Sequence, residues 1–167
     1  MDVKEIITRQ YLTFQLGEEV FGVDVAKTRE VLDLTSITRV PGTPPFMLGV
    51  INLRGGVVPV VDLRLKFGMP AVQQSRDTCI IVIDIVLDGE TITVGAVADS
   101  VREVLDLDNG QIEPPPRIGT RLKTDFIRGM GRIDDGRFLI LLDIDRVFSS
   151  EELALVQVIG EETAEAI

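Results

Sequence analysis

The stretch that decides the fold occurs twice: TREVLDL at residues 28–34 and VREVLDL at residues 101–107. Six successive residues are identical, and in the same register Gly22 corresponds to Gly95. Further along, FMLG (46–49) corresponds to FIRG (126–129), VVDL (60–63) to LLDI (141–144), and Phe67 to Phe148. The chain therefore carries an internal duplication of about 75 residues, with an insertion in the second copy near 114–119.

The dominant local pattern around the repeat is short strands that end in turn residues. Apolar alternation and Gly- or Asp-containing turns predict four hairpins, over 11–25, 47–61, 80–98 and 126–142. Asp24 predicts a short helix over 26–32, while Asp62 and Asp143 are interpreted as caps of short helices and not as a catalytic pair. Ser149 with Glu152 forms a capping box, which predicts a C-terminal helix.

A repeat of this length with five short strands suits a small barrel. We predict a mainly β fold of two five-stranded barrels related by a pseudo-twofold axis, with short helices and a shared core that neither half could supply alone. The expected organisation is one domain over 8–158 and an acidic tail over 160–167. Within the domain we expect a first barrel at about 8–68, a linker near 68–71, a second barrel at about 76–148 and the C-terminal helix at about 150–159.

The composition excludes several classes of chemistry. A net charge of -10 argues against binding to nucleic acid or to anionic lipid. The chain has no histidine, so it can form no Ser-His-Asp triad, no Cys-His pair and no histidine-bearing zinc site. We predict no catalytic residue, no cofactor and no metal.

The remaining bulk features predict a cytoplasmic protein. Cys79 is the one cysteine and lies in an apolar run, so we expect a buried thiol in a reducing compartment. The chain begins without a signal-peptide pattern and no apolar run is long enough to span a bilayer.

Two groups of charged residues are candidates for a binding surface. Arg29 and Glu30 are adjacent, so they point in different directions and either face solvent or contact a partner. The string GVINLRGG (49–56) is no phosphate loop, because it lacks the Gly-Lys-Ser/Thr ending. Its two final glycines predict a tight turn that presents Arg54 to a carboxylate.

The chain resembles the CheW family of bacterial chemotaxis coupling proteins over roughly residues 9–157. The most specific match is GVINLRG (49–55), followed by VPVVDLR (58–64) and Phe67. The resemblance implies two SH3-like β-barrels, no catalytic activity and no cofactor. It also implies two partners, the regulatory domain of the histidine kinase CheA and the cytoplasmic tip of methyl-accepting chemoreceptors. The expected location is the receptor array beneath the inner membrane, without insertion into it.

The resemblance also assigns candidate binding residues. An amphipathic receptor helix can lie in an apolar groove, which we expect between the two barrels. Glycines would allow close approach of that helix, and Arg54 would add a charge-assisted contact. The receptor-binding candidates are Thr28, Glu30, Gly49, Arg54, Gly95, Val104 and Gly129. Kinase binding is expected on an apolar barrel flank, at Ile37, Val40, Val57 and Val58.

Three alternative hypotheses remain open. A CheW-like adaptor of a surface-motility or other receptor–kinase pathway would carry the same motifs. An enzyme or small-molecule binder on a duplicated barrel is disfavoured by the lack of histidine. A fragment of CheA or of a CheV-type adaptor is disfavoured because the chain opens with Met1 and shows no receiver or kinase segment.

Overall fold

In the computed structural model the described residues are 5–70, 73–115, 124–133 and 136–166, and they form two β-sheets with few helices. The strands are β1 (Thr8–Leu16), β2 (Glu19–Asp24), β3 (Thr28–Asp33), β4 (Met47–Leu53), β5 (Gly56–Asp62), β6 (Cys79–Leu87), β7 (Glu90–Ala98), β8 (Ser100–Asp108), β9 (Ile112–Glu113), β10 (Ile127–Arg132) and β11 (Phe138–Leu142). The α-helices are α1 (Leu63–Lys66) and α2 (Ser150–Ala166). Short 3-10 turns cover Val25–Lys27, Asn109–Gln111, Thr124–Phe126 and Ile144–Arg146. The mainly β fold and the four hairpins are confirmed.

Each sheet takes its strands from both copies of the repeat. The strand orders are β3-β6-β7-β5-β4 and β8-β1-β2-β11-β10-β9. The repeat pairs β1 with β6, β2 with β7, β3 with β8, β4 with β10 and β5 with β11, so the two orders are equivalent. The strands therefore do not divide between the barrels at the expected limits of 8–68 and 76–148. The hairpin β6–β7 of the second copy joins β3, β4 and β5 of the first, and the hairpin β1–β2 of the first copy joins β8, β10 and β11 of the second, together with the additional short strand β9.

Each sheet is closed by a segment that follows its edge strand. In the five-stranded sheet, Thr38 and Val50 exchange two backbone hydrogen bonds of 2.9 Å. In the six-stranded sheet, β9 returns after β8 and pairs with β10. Closure removes open sheet edges, which otherwise invite unwanted strand pairing, and gives each sheet the form of a small barrel.

Alternate residues of a central strand serve different cores. On β6, Ile80 and Val82 pack inside the five-stranded barrel, whereas Ile81, Ile83 and Ile85 pack in the cluster between the two sheets, as the two-residue period of a strand requires. The cluster between the sheets is the largest and draws on both of them. The predicted shared core is confirmed.

The helix predicted over 26–32 is wrong. Asp24 caps only the 3-10 turn, where its Oδ1 accepts the Ala26 N–H at 2.9 Å. Residues 28–33 form β3, whose side chains alternate between exposed and half-buried positions. Strand β6 supplies backbone hydrogen-bond partners to this stretch, and that pairing overrides the local capping signal.

Helix α2 begins as predicted and extends further. The Ser149 N–H donates to Glu152 Oε1 at 2.8 Å and the Glu152 N–H donates to Ser149 Oγ at 3.1 Å, which confirms the capping box. The helix continues to Ala166, so residues 160–166 belong to it and do not form a separate tail. Glutamate and alanine are strong helix formers, and Gly160 does not end the helix.

Candidate binding surfaces

The tip of the β4–β5 hairpin holds Arg54 in a fixed place. Arg54 and Gly55 both have positive φ angles, of 50° and 84°. The Gly55 N–H donates to Asn52 Oδ1 at 2.9 Å, which closes the turn from within. A positive φ costs an arginine roughly 1 kcal/mol, so the turn is held by its surroundings.

The Arg54 guanidinium binds the carboxylate of Glu30 on β3. Nη1 donates to Oε1 at 2.7 Å, and Nη2 donates to Oε1 at 2.8 Å and to Oε2 at 2.6 Å. The Arg54 side chain is 70% exposed and that of Glu30 is 27% exposed. Thr28, half-buried on the same strand, donates its hydroxyl to the Asp24 carbonyl at 3.3 Å. Three predicted receptor residues therefore lie on one barrel, and two of them are in direct contact.

Val104 lies on the other barrel. It is 49% exposed on β8, and its repeat counterpart Val31 on β3 is 42% exposed. Of these two valines, only Val104 was predicted from the sequence as a binding residue. The repeat register was the signal that could have identified Val31 as its equivalent.

The predicted glycines are buried within the fold. A Cβ atom at Gly49 would lie 2.1 Å from the carbonyl oxygen of Thr38, and the φ of Gly49 is 148°. At Gly95 and Gly129 the nearest side-chain atoms would be only 2.7 and 2.6 Å away, well inside ordinary van der Waals contact. The structure therefore gives these glycines a role in closing and packing the barrels, in place of the expected approach of a foreign helix.

The expected apolar groove between the barrels is filled by the protein's own side chains. The cavity that remains there, lined by Phe14, Ile81 and Ile144 among others, measures about 10 Å³. That volume barely admits one water molecule. Within the described residues, a partner helix can therefore reach only an outer face of a barrel at this place.

The kinase-binding candidates differ in exposure. Ile37 and Val40 lie between β3 and β4 and are half-buried, as is Val57 at the start of β5. Val58 is 8% exposed and belongs to the interior of the five-stranded barrel. The first three retain apolar surface, whereas Val58 acts mainly as a core residue.

Lys66 is a part-buried cation that was not predicted from the sequence. Its Nζ lies 5.4 Å from the ring centre of Phe46, 5.7 Å from that of Phe126 and 5.8 Å from that of Phe148. It also donates to both carboxylate oxygens of Glu152 at 2.7 Å. We call this group the lysine box. It ties α1 to the first turn of α2 at the junction of the two sheets.

The lysine box breaks the twofold symmetry of the repeat. The position equivalent to Lys66 is Val147, which is fully buried. Burial pushes the pKa of Glu152 upward, but hydrogen bonds from Lys66 and Ser149 together with the lysine charge outweigh it, so this pKa lies below its ordinary value. The aligned phenylalanines at 46/126 and 67/148 were the available signal, although their contacts depend on the strand exchange.

The other titratable residues considered in the sequence have structural roles. Asp62 accepts the backbone N–H groups of Arg64 and Leu65 and caps α1, as predicted. The Asp143 side chain makes no capping hydrogen bond, so that prediction is wrong. Cys79 is buried, as predicted, and burial raises the pKa of its thiol. Across the described ranges, no group of three or more acidic or cysteine side chains is placed to hold a metal ion.

Comparison with known proteins decides the family. A sequence model of the CheW-like domain matches residues 10–152. The chain belongs to the CheW family. The chemotaxis protein CheW of Klebsiella aerogenes is 41% identical over 152 residues, which are 91% of this chain and 89% of that protein. The CheW of Thermotoga maritima is 31% identical and covers 83% of this chain, with 86% of its own length matched.

A solved structure agrees with this assignment. The crystal structure of the scaffolding protein TtCheW from Thermoanaerobacter tengcongensis matches with a TM-score of 0.77 and 34% identity, over 91% of this chain and 95% of that one. CheW membership confirms the resemblance, the two-subdomain β fold and the role of an adaptor in chemotaxis. No helix among the described residues is long and apolar enough to cross a membrane.

Proposed function

We propose that this CheW-family protein is a non-enzymatic adaptor that couples methyl-accepting chemoreceptors to the histidine kinase CheA. The observation that carries the proposal is the contact between Glu30 and Arg54 on a chain of this family. The pair is charged, exposed and ordered by a tight turn. An exposed ion pair of this kind contributes only about 0.2–1 kcal/mol to stability, so it is available for recognition.

The receptor face of the proposal is the outer side of the five-stranded barrel. Thr28, Glu30 and Arg54 lie there on β3 and on the β4–β5 hairpin. The ion pair can exchange one partner for a charged side chain of an incoming receptor helix, because both groups keep contact with solvent. Val104 contributes an apolar contact from the second barrel.

The kinase face of the proposal is the apolar surface at Ile37, Val40 and Val57. These residues flank the segment that closes the five-stranded barrel. Half-buried aliphatic side chains on a rigid segment suit a flank-to-flank contact with a similar barrel, since little order has to be gained on binding. Val58 lies beneath this face in the interior of the five-stranded barrel.

The test is direct binding. The full chain is immobilised and exposed separately to the CheA regulatory domain and to a receptor tip fragment from the same organism. We expect both to bind, and a fluorescent fusion of the chain to gather at receptor clusters. Absence of binding to both proteins by the wild-type chain would remove the coupling role and leave the family assignment alone.

A further inference from the structure

A cleft on the five-stranded barrel contains a buried carboxylate. The cleft has a volume of about 630 Å³. Its walls are mainly apolar and come from the segment that precedes β4 together with Leu65 and Val97. Asp62, only 5% exposed, is among the lining residues. A carboxylate in such surroundings is costly unless it is paired.

Hydrogen bonds from the described residues reach only Oδ1 of Asp62, whereas Oδ2 keeps some contact with the solvent of the cleft. Oδ1 accepts the Arg64 N–H at 2.9 Å and the Leu65 N–H at 3.4 Å. Among the described residues, no donor to Oδ2 is found and no lysine or arginine forms an ion pair with Asp62. The Arg64 guanidinium is engaged elsewhere, with Asp99 Oδ2 at 2.8 Å and the Pro70 carbonyl at 2.9 Å. Arg39 lines the cleft without reaching the carboxylate.

The surroundings of Asp62 disfavour its charged form. Burial raises its pKa, against the lowering effect of the two backbone N–H groups and of Arg64, and the charge of Asp99 adds to the rise. A cation within hydrogen-bond distance of Oδ2 would offset this cost.

In the second copy of the repeat the equivalent carboxylate is more exposed and lies beside a cation at the protein surface. Asp143 corresponds to Asp62, and its Oδ2 lies 3.6 Å from Nε of Arg146. The position equivalent to Arg146 in the first copy is Leu65. The first copy therefore has the carboxylate of Asp62 but has the aliphatic side chain of Leu65 where the second copy has Arg146.

We propose that the Asp62 cleft binds an ammonium or guanidinium group carried on an aliphatic stem, with the charge on Asp62 Oδ2 and the stem against Val40, Leu48 and Leu65. This chemistry is that of a lysine or arginine side chain of a docked protein, or of a free alkyl amine. Val40 belongs to the proposed kinase face, which makes a protein side chain a direct source. That source rests on the proposed function, whereas the site itself does not.

The first experiment uses n-butylguanidinium as the probe and the full isotope-labelled chain. We expect saturable amide shifts at residues 40–48 and 62–65. Asp62→Asn should weaken probe binding by at least about tenfold, since a hydrogen bond to a charged group is lost. The Asn side-chain oxygen still caps α1, so the melting temperature should not fall. Asp143→Asn is the matched control and should bind the probe like the wild type.

Two outcomes overturn the site. One is equal probe binding by Asp62→Asn and the wild type. The other is an equal loss in both Asn variants, which would indicate a response to net charge alone.

The second experiment identifies the source of the cation. If a kinase side chain occupies the cleft, the probe will compete with the CheA regulatory domain and Asp62→Asn will bind that domain more weakly. If the kinase binds Asp62→Asn and the wild type equally, with no competition, the kinase is overturned as the source of the cation. A failure of the wild type to bind the kinase contradicts the proposed function and leaves the probe result standing.

Discussion

Arg54 and Glu30, 24 residues apart in sequence, are joined by three hydrogen bonds of 2.6 to 2.8 Å. The contact links the β4–β5 hairpin to β3, at the two edges of the five-stranded sheet. It therefore bridges the place where the barrel closes, on its solvent-facing side.

Replacing Arg54 by alanine should separate recognition from stability. Because the side chain is 70% exposed, we expect a loss of no more than about 1 kcal/mol in the free energy of unfolding. Binding to a receptor tip fragment should weaken, measured by surface plasmon resonance. Arg29→Ala is the control and should retain binding. Arg29 lies on the same strand as Glu30, and the substitution removes its exposed ion pair with Asp84 on β6. A large drop in melting temperature for Arg54→Ala would instead assign Arg54 to the fold.

Replacing Gly49 by alanine should destabilise the barrel. The added Cβ would lie 2.1 Å from the Thr38 carbonyl oxygen, so the closing bridge to Val50 would have to move. We expect a loss of more than about 2 kcal/mol in urea-induced unfolding. Gly56→Ala, whose Cβ would lie at an ordinary 3.4 Å from its neighbour, is the control. A Gly49 variant with wild-type stability that fails to bind receptor would return this glycine to the binding surface.

Replacing Lys66 by methionine should loosen the start of α2. Methionine keeps the aliphatic contact with the three phenylalanine rings and removes the charge that Glu152 requires. We expect a cost of about 1–2 kcal/mol and faster hydrogen exchange in the amides of residues 150–158. Lys27→Met removes another part-buried lysine pair, with Asp145, and should leave α2 protected. Unchanged exchange in α2 for the Lys66 variant would show that the box does not hold the helix.

The same contact predicts an acid-sensitive helix. The pKa of Glu152 in the folded protein is below its ordinary value of 4.5, so the unfolded chain takes up the proton first as pH falls. The stabilisation is fully present above pH 4.5 and is lost progressively as the pH drops through the folded pKa. The protection factors of the α2 amides, which correct for the intrinsic pH dependence of exchange, should therefore fall as the pH drops below 4.5. Glu152→Gln should lack that step; an identical pH profile in the variant would contradict it.

The duplication and the hairpins could be predicted from the sequence because each depends on residues that are close together in the chain. The strands against which each hairpin packs could not be predicted in this way. The two copies present nearly the same strand edges, so sequence similarity alone does not distinguish pairing within a copy from pairing between copies. Residues 26–32 failed for a related reason: Asp24 is a true local cap, but the hydrogen bonds offered by β6 decide the conformation.

The candidate site was predicted in part. Glu30 and Arg54 were both predicted as binding residues. Their mutual contact could not be predicted, because it depends on which strands lie at the two edges where the five-stranded barrel closes. The glycines were correctly identified as places where no side chain fits, although the atoms that exclude it belong to the same chain. Lys66 could not be identified from the sequence, since a lysine two residues after an arginine in a short helix resembles a solvent-exposed residue.

The exchange of hairpins means that neither half of the chain can be excised as a separate folding unit. If the chain were cut near residue 70, each half would keep one hairpin without its neighbouring strands, and the remaining strands of that half would lack their hairpin. Two copies of one half could complete each other's sheets only by exchanging hairpins in a dimer. In this protein the linker joins the two halves, so the exchange takes place within one polypeptide. A partner that binds either barrel consequently contacts strands from both copies of the repeat.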